Sequence, residues 1–150
     1  QKVNLIEVVD ECVAELRGVF GSAHIRHYHR GSGDIEVDLD RLHQMLGNLV
    51  ANSVAYGDLG FPITLTTDLS DGGAVISVHN HGPALDSALI PALFEPMTRG
   101  GEQQGTPHSV GLGLFIVRQI TEAHSGEISV TSNVTSGTTF SIKFPAPRTL

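Results

Sequence analysis

Apolar residues recur at helical spacing in three stretches of the chain and at alternating spacing between them. Over Asn4–Arg17, Ile6, Val9, Val13 and Leu16 return every three or four positions with acids between, which predicts an amphipathic helix that Asn4 can cap. A second helix is expected from the N-cap Asp38 to Tyr56, with Leu42, Met45, Leu46 and Leu49 as its buried stripe, and a third over roughly Val110–His124, carrying Leu114, Val117 and Ile120. Period-two alternation marks Ile63–Leu69 and Ala74–Asn80, joined across Ser70–Gly73 as a hairpin, and Glu127–Asn133 with Thr138–Phe144 as another. His24–Arg30 and Asp34–Val37 form a weaker pattern, read as a hairpin about Gly31-Ser32-Gly33. A short helical stretch is expected around Asp86–Leu93, and the Gly-rich, polar run Met97–Ser109 reads as a mobile loop.

This order, α-β-β-α-β-β-α-β-β, predicts an α/β, two-layer (α+β) sandwich: a mixed sheet of about five strands covered on one face by three helices. Alternation puts Ala74, Ile76, Val78 and Asn80 on one face and Ser77, His79 and His81 on the other. Thr138, Phe140, Ile142 and Phe144 also share a face. Asn80 and Thr138 therefore each end an apolar face beneath the helices, where polar groups need partners.

The 150 residues fit a single domain, and their direct start on Gln-Lys-Val suggests a piece of a longer protein. No apolar run reaches bilayer-spanning length and no signal peptide opens the sequence, so a cytoplasmic setting is expected, with a parent that could be membrane-anchored. The formal charge of −7 argues against a nucleic-acid partner. The single cysteine, Cys12, rules out an internal disulfide and reads as core.

Candidate chemistry lies where polar residues interrupt these patterns. Asn48, Asn52 and Tyr56 are spaced by four along the second helix, beside its leucine stripe. Two mid-helix asparagines are poor for helix propensity and suggest the polar rim of a pocket; an asparagine oxygen is a hard, neutral ligand suited to Mg²⁺ carried by phosphates. Gly111 and Gly113 precede the apolar run of the third helix, where backbone N–H groups can approach an anion. Gly137–Phe140, GTTF, is a turn into a strand, with Thr138 pointing the same way as Asn80.

The ordered runs NLVANSVAYG, HGPAL, LFEPMTRG, GLGLFIVRQITEAHSG and SGTTF resemble the N, G1, F, G2 and terminal glycine boxes of the ATP-binding catalytic domain of bacterial sensor histidine kinases. That domain belongs to the superfamily (Bergerat fold, GHKL) that also holds the Hsp90, gyrase B and MutL ATPases. The resemblance covers essentially the whole chain. It implies binding of Mg²⁺–ATP and transfer of the γ-phosphoryl group to a histidine on a separate dimerisation domain of the same protein, with a response regulator receiver domain downstream. It further implies that the isolated domain is monomeric in a homodimeric parent.

Residue by residue, the resemblance makes Asn52 the Mg²⁺-coordinating asparagine and Asn48 the polar position near the phosphates. Tyr56 would pack on the adenine. Gly82 and Leu85 fall in the G1 box. Phe94 and Arg99 would order the lid and approach the phosphates. Gly111, Leu112 and Gly113, with Leu114 after them, would face the triphosphate, and Thr138 would support adenine recognition. None of the eight histidines lies in an acceptor motif, so the chain is not expected to autophosphorylate alone.

Three positions depart from the family pattern. G1 is usually Asp-x-Gly-x-Gly; here Asn80 replaces the acid and Ala84 the second glycine. The lysine often found before the N-box tyrosine is Ala55, and Ser109-Val110 stand where Gly-Thr is common. A neutral hydrogen bond in place of a charged one costs on the order of 1 kcal/mol, about fivefold in affinity. The Asn80 amide nitrogen could also donate to adenine N1 or guanine O6, so looser purine discrimination is expected. Other readings stay open: a degenerate domain that signals without catalysis, a regulatory site for another purine ligand such as a cyclic dinucleotide, or an anti-sigma-type kinase. His79 and His81, two apart on one strand, could meet a metal, but no third ligand is identifiable.

Overall fold

The computed structural model describes residues 1–70, 72–96 and 108–145, with the backbone alone for 108–112. Its elements are β1 (Lys2–Asn4), α1 (Leu5–Val19), β2 (Ile25–Arg30), β3 (Asp34–Glu36), α2 (Leu39–Tyr56), β4 (Ile63–Asp68), β5 (Ala74–Asn80), a 3₁₀ turn (Ile90–Ala92), α3 (His108–Ala123), β6 (Glu127–Asn133) and β7 (Gly137–Phe144). Five strands form a mixed sheet in the order β2-β4-β5-β7-β6.

The expected hairpin of the second and third strands does not form. β2 pairs in parallel with β4, reached by a crossover through α2, while β3 pairs antiparallel with β1 in a separate two-stranded ribbon. A loop of three residues would suit a hairpin, but β2 gains more by continuing the large sheet, where Ile25 is buried against Ile63. The other two hairpins form as expected.

Local chemistry sets the helix ends. Asn4 accepts the Glu7 N–H at 3.1 Å to start α1, and Asp38 accepts the Arg41 N–H at 3.2 Å to start α2. His124, just past α3, accepts the Asp38 N–H at 3.1 Å through Nε2 and donates from Nδ1 to the Ile120 carbonyl at 2.8 Å, tying the start of α2 to the end of α3. On α2, Leu42, Met45, Leu46 and Leu49 are fully buried; each contributes about 1.5–3 kcal/mol by leaving water. They pack with Val9, Val13, Leu65, Ile76, Val78, Val117, Phe140 and Ile142 in one apolar cluster between helices and sheet.

The opposite sheet face carries Thr64, Thr66, Ser77, Thr139 and Ser141, partly exposed, with Ser77 and Ser141 bonded hydroxyl to hydroxyl at 3.1 Å. Small hydroxyl side chains there make a face tolerable to water without helices over it.

Candidate functional site

At one end of the helix-covered face the strands place three polar residues side by side. Asn80 on β5 pairs with Thr138 on β7, which pairs with Ser132 on β6. Asn80 is 5% exposed and Thr138 4%, in a row that is otherwise apolar. Ser132 Oγ lies 2.7 Å from Thr138 Oγ1 and accepts the Leu85 N–H at 2.8 Å, joining the segment after β5 to the neighbouring hairpin. Ser132 was not among the residues expected here. The hairpin register sets it opposite Thr138, and that pairing was the available signal.

The C-terminal end of α2 closes onto this row. The His81 carbonyl accepts the Asp58 N–H at 2.7 Å and the Asn80 amide nitrogen at 3.1 Å. Gly57 caps α2, its N–H on the Ser53 carbonyl at 2.7 Å. A Cβ there would lie 2.5 Å from the Ser53 oxygen and 3.0 Å from Asn80 Nδ2, so only glycine lets helix and strand approach this closely. Gly82 packs against Tyr56, Gly57 and Asp58 backbone. Gly137 has φ +84°, and a Cβ there would fall on the Asn80 carbonyl oxygen. Tyr56, the last residue of α2, is 40% exposed beside these groups.

The Asn80 amide is thereby oriented. A carbonyl only accepts, so the group facing His81 O must be the nitrogen. Its oxygen bonds to no described residue. That orientation leaves an acceptor where a carboxylate would also accept, and the nitrogen keeps a second N–H that no described residue accepts.

One turn and two turns back along α2 lie Asn52 and Asn48. Asn52 is 6% exposed and bonds to no described residue. Asn48 is half-buried and donates to the Gly113 carbonyl on α3 at a long 3.4 Å, with Gly113 packed on its side chain. α3 begins at His108, so Gly111 and Gly113 sit within its first two turns and not ahead of it, as the sequence suggested. The N–H groups without intrahelical partners are then those of the first turn. Leu114 is buried in the core. Arg99, the side chain of Leu112 and the expected loop up to residue 107 lie outside the described residues.

Phe94 sets its ring edge-on to Phe140 at 6.0 Å. It also borders a cleft of about 290 Å³ with Pro91, Arg118, Glu122, Gly126, Glu127 and Ile128. Of the expected site residues this cleft touches Phe94 alone, and its two glutamates would repel a triphosphate. His79 and His81 stack edge-on at 4.8 Å; His79 donates to the Ser136 carbonyl and His81 packs on Phe61 at 4.6 Å. No cluster of three metal-ligating side chains occurs among the described residues.

A two-layer sandwich of helices on a mixed sheet, with a buried polar row at one end, defines the structural class. Residues 37–148 match the family described as histidine kinase-, DNA gyrase B-, and HSP90-like ATPase, and the chain belongs to that family. Sensor protein SrrB of Staphylococcus aureus is 36% identical over 117 residues, 73% of this chain. The matched part is 19% of SrrB, so the chain spans about a fifth of this curated relative. The catalytic domain of histidine kinase ThkA superposes with a TM-score of 0.80 at 25% identity, over 99% of this chain and 98% of that one. The histidine kinase domain of the E. coli osmosensor EnvZ gives 0.73 at 25% identity, over 100% and 91%. ATP is accordingly the nucleotide of this family, and no helix among the described residues is long and apolar enough to cross a membrane.

Proposed function

We propose that this chain is the ATP-binding catalytic part of a sensor histidine kinase, which holds Mg²⁺–ATP and presents its γ-phosphoryl group to a histidine on a separate dimerisation domain. The observation that carries the proposal is the Asn80–Thr138–Ser132 row under the end of α2, one turn from a buried asparagine, Asn52, with no described partner. Asn80 Oδ1 accepts from the adenine 6-amino group, Thr138 lies beside it, and Tyr56 covers the ring. Asn52 suits Mg²⁺: its amide is buried, neutral and uncommitted among the described residues, and hard oxygen donors are what that ion takes. The ion, arriving with ATP, would neutralise charge on the phosphates during transfer. Asn48 and Gly113 hold the α2–α3 contact alongside, and Arg99, Gly111 and Leu112 are assigned to the phosphate end.

Phosphoryl transfer demands positioning above all, so this part supplies an oriented donor while the acceptor comes from elsewhere. The receiver domain of a response regulator is the next partner, and the setting is the cytoplasmic side of the membrane. The test is calorimetric titration of ATP with and without Mg²⁺, followed by incubation with γ-labelled ATP. Micromolar, Mg²⁺-dependent binding with no label on the isolated chain, and label on the acceptor domain when it is added, is the expected result. No nucleotide binding would sink the proposal and leave a degenerate domain.

A further inference from the structure

The described contacts of the histidines fall into two kinds. His27 sets Nδ1 at 2.6 Å from the Asp10 carboxylate and Nε2 at 2.8 Å from the Thr67 hydroxyl, His43 faces Glu15, and His79 faces the Ser136 carbonyl. Each of these partners has an oxygen that can accept, so a protonated ring keeps every one of these contacts. His124 is different. Its Nε2 accepts the Asp38 N–H and its Nδ1 donates to the Ile120 carbonyl. A backbone N–H only donates and a carbonyl only accepts, so both contacts exist together in one form alone, the neutral ring with its proton on Nδ1. A second proton sets N–H against N–H at 3.1 Å and opens the tie.

That tie is one side of a frame. α2 and α3 meet again where Asn48 donates to the Gly113 carbonyl, and Thr121 meets Met45 between the two points. Ten positions separate Asp38 from Asn48 and eleven separate Gly113 from His124, about 15–16 Å along each helix at about 1.5 Å per residue, so the two ties fix one antiparallel register. The elements packed about the ring carry charges of both signs: Asp38, whose carboxylate caps the Arg41 N–H, Asp40 and Arg41 on α2, Glu122 on α3, and Glu127 paired with Lys143 behind Gly126. None of these side chains has a described bond to the ring, and Phe144 stands edge-on to it at 6.0 Å. We infer that His124 is a positioning residue with an acid-sensitive contact: its neutral ring keeps α3 in register on α2, and its protonation loosens the Asn48–Gly113 face that the ATP reading places beside the phosphates. The inference rests on that reading.

The experiment follows the chain by NMR from about pH 8 to about pH 5.5, the range in which imidazoles titrate, and measures Mg²⁺–ATP affinity at both ends for wild type, His124→Gln and His124→Asn. Either amide offers Asp38 an acceptor and takes no proton in this range. The γ-phosphate of ATP titrates here too, equally for all three proteins, so the difference between them is the readout. Expected at the upper pH are ring nitrogen shifts of the neutral Nδ1–H form and an Asp38 N–H protected from exchange. At the lower pH the ring is charged, that protection is gone, and wild-type affinity has fallen about two- to tenfold further than that of either variant. A proton on Nε2 at the upper pH, a ring still neutral at the lower, or Asp38 protection that survives a charged ring overturns the acid-sensitive contact. Matching affinity profiles in wild type and variants overturn the positioning role. Failure of the wild type to bind ATP at either pH overturns instead the reading beneath, while ring shifts and Asp38 exchange still decide the contact.

Discussion

The two ends of the proposed site are built differently. The purine end is made of strand ends and one helix terminus, and its polar groups are bonded to each other: Leu85 to Ser132, Ser132 to Thr138, Asn80 and Asp58 to His81. The phosphate end is made of two helix faces, where the described hydrogen bond is the 3.4 Å one from Asn48 to the Gly113 carbonyl and a buried Asn52 bonds to no described residue. In the proposed site, the groups assigned to the purine are already bonded to one another through the sheet. Those assigned to the phosphates and their cation keep valences that no described residue fills. On that reading, substitutions at the two ends should fail in different ways.

The largest effect is expected at the purine end from Gly137→Ala. The backbone there is left-handed and a methyl would meet the Asn80 carbonyl, so about 3 kcal/mol or more of stability should go, with ATP binding lost alongside. Thermal denaturation checks this; an unchanged melting temperature would break the claim that this end is fixed by close packing. Next comes the phosphate end. Asn52→Ala should lower Mg²⁺-dependent ATP affinity about 10- to 100-fold while the melting temperature without nucleotide holds, since nothing described depends on that amide. A large loss of stability would erase the contrast between the ends.

Smaller effects sharpen it. Ser132→Ala strips the Leu85 N–H of its acceptor and Thr138 of its neighbour, for about 1 kcal/mol and about fivefold in ATP affinity; Ser132→Thr should restore most of it. Asn80→Asp places an acceptor against the His81 carbonyl, now 3.1 Å from a donor, so it should lower the melting temperature without widening the preference for ATP over GTP. A wider preference would restore looser discrimination by the native asparagine. The smallest effect concerns Cys12, a control far from both ends. Burial, with Glu15 and then Glu11 adding repulsion, pushes its thiol up to about 12. The folded state holds that proton more tightly than the unfolded one, so this contribution to stability is complete below the unfolded pKa and fades as pH rises towards 12. At neutral pH, labelling of Cys12 by a thiol reagent should be slow and track global unfolding, separating loss of fold from loss of binding in every variant above.

Much of this was legible in the sequence because period carries face. Alternation along Ala74–Asn80 and Thr138–Phe144 sent Asn80 and Thr138 under the helices, and both are buried there. Spacing by four put Asn48, Asn52 and Tyr56 on one row, and Asn4 and Asp38 cap the helices they were expected to cap. What period cannot carry is pairing. Nothing in His24–Arg30 says that its neighbour will be the strand after α2 and not the strand after Gly33. That choice belongs to the whole sheet. Ser132 escaped notice for the same reason, being one polar residue among several on an edge strand until its register is known.

β7 is the last of the described strands along the sequence, yet it lies inside the sheet, between β5 and β6. The contacts it makes with β5 span most of the second half of the chain, so they close late, after their loop entropy has been met. During synthesis on the ribosome, Asn80 emerges long before Thr138 and waits with one side of its strand bare. A copy truncated before β7 would lack Thr138 and with it one wall of the proposed purine pocket, so binding of ATP would report that β7 had been made and had docked.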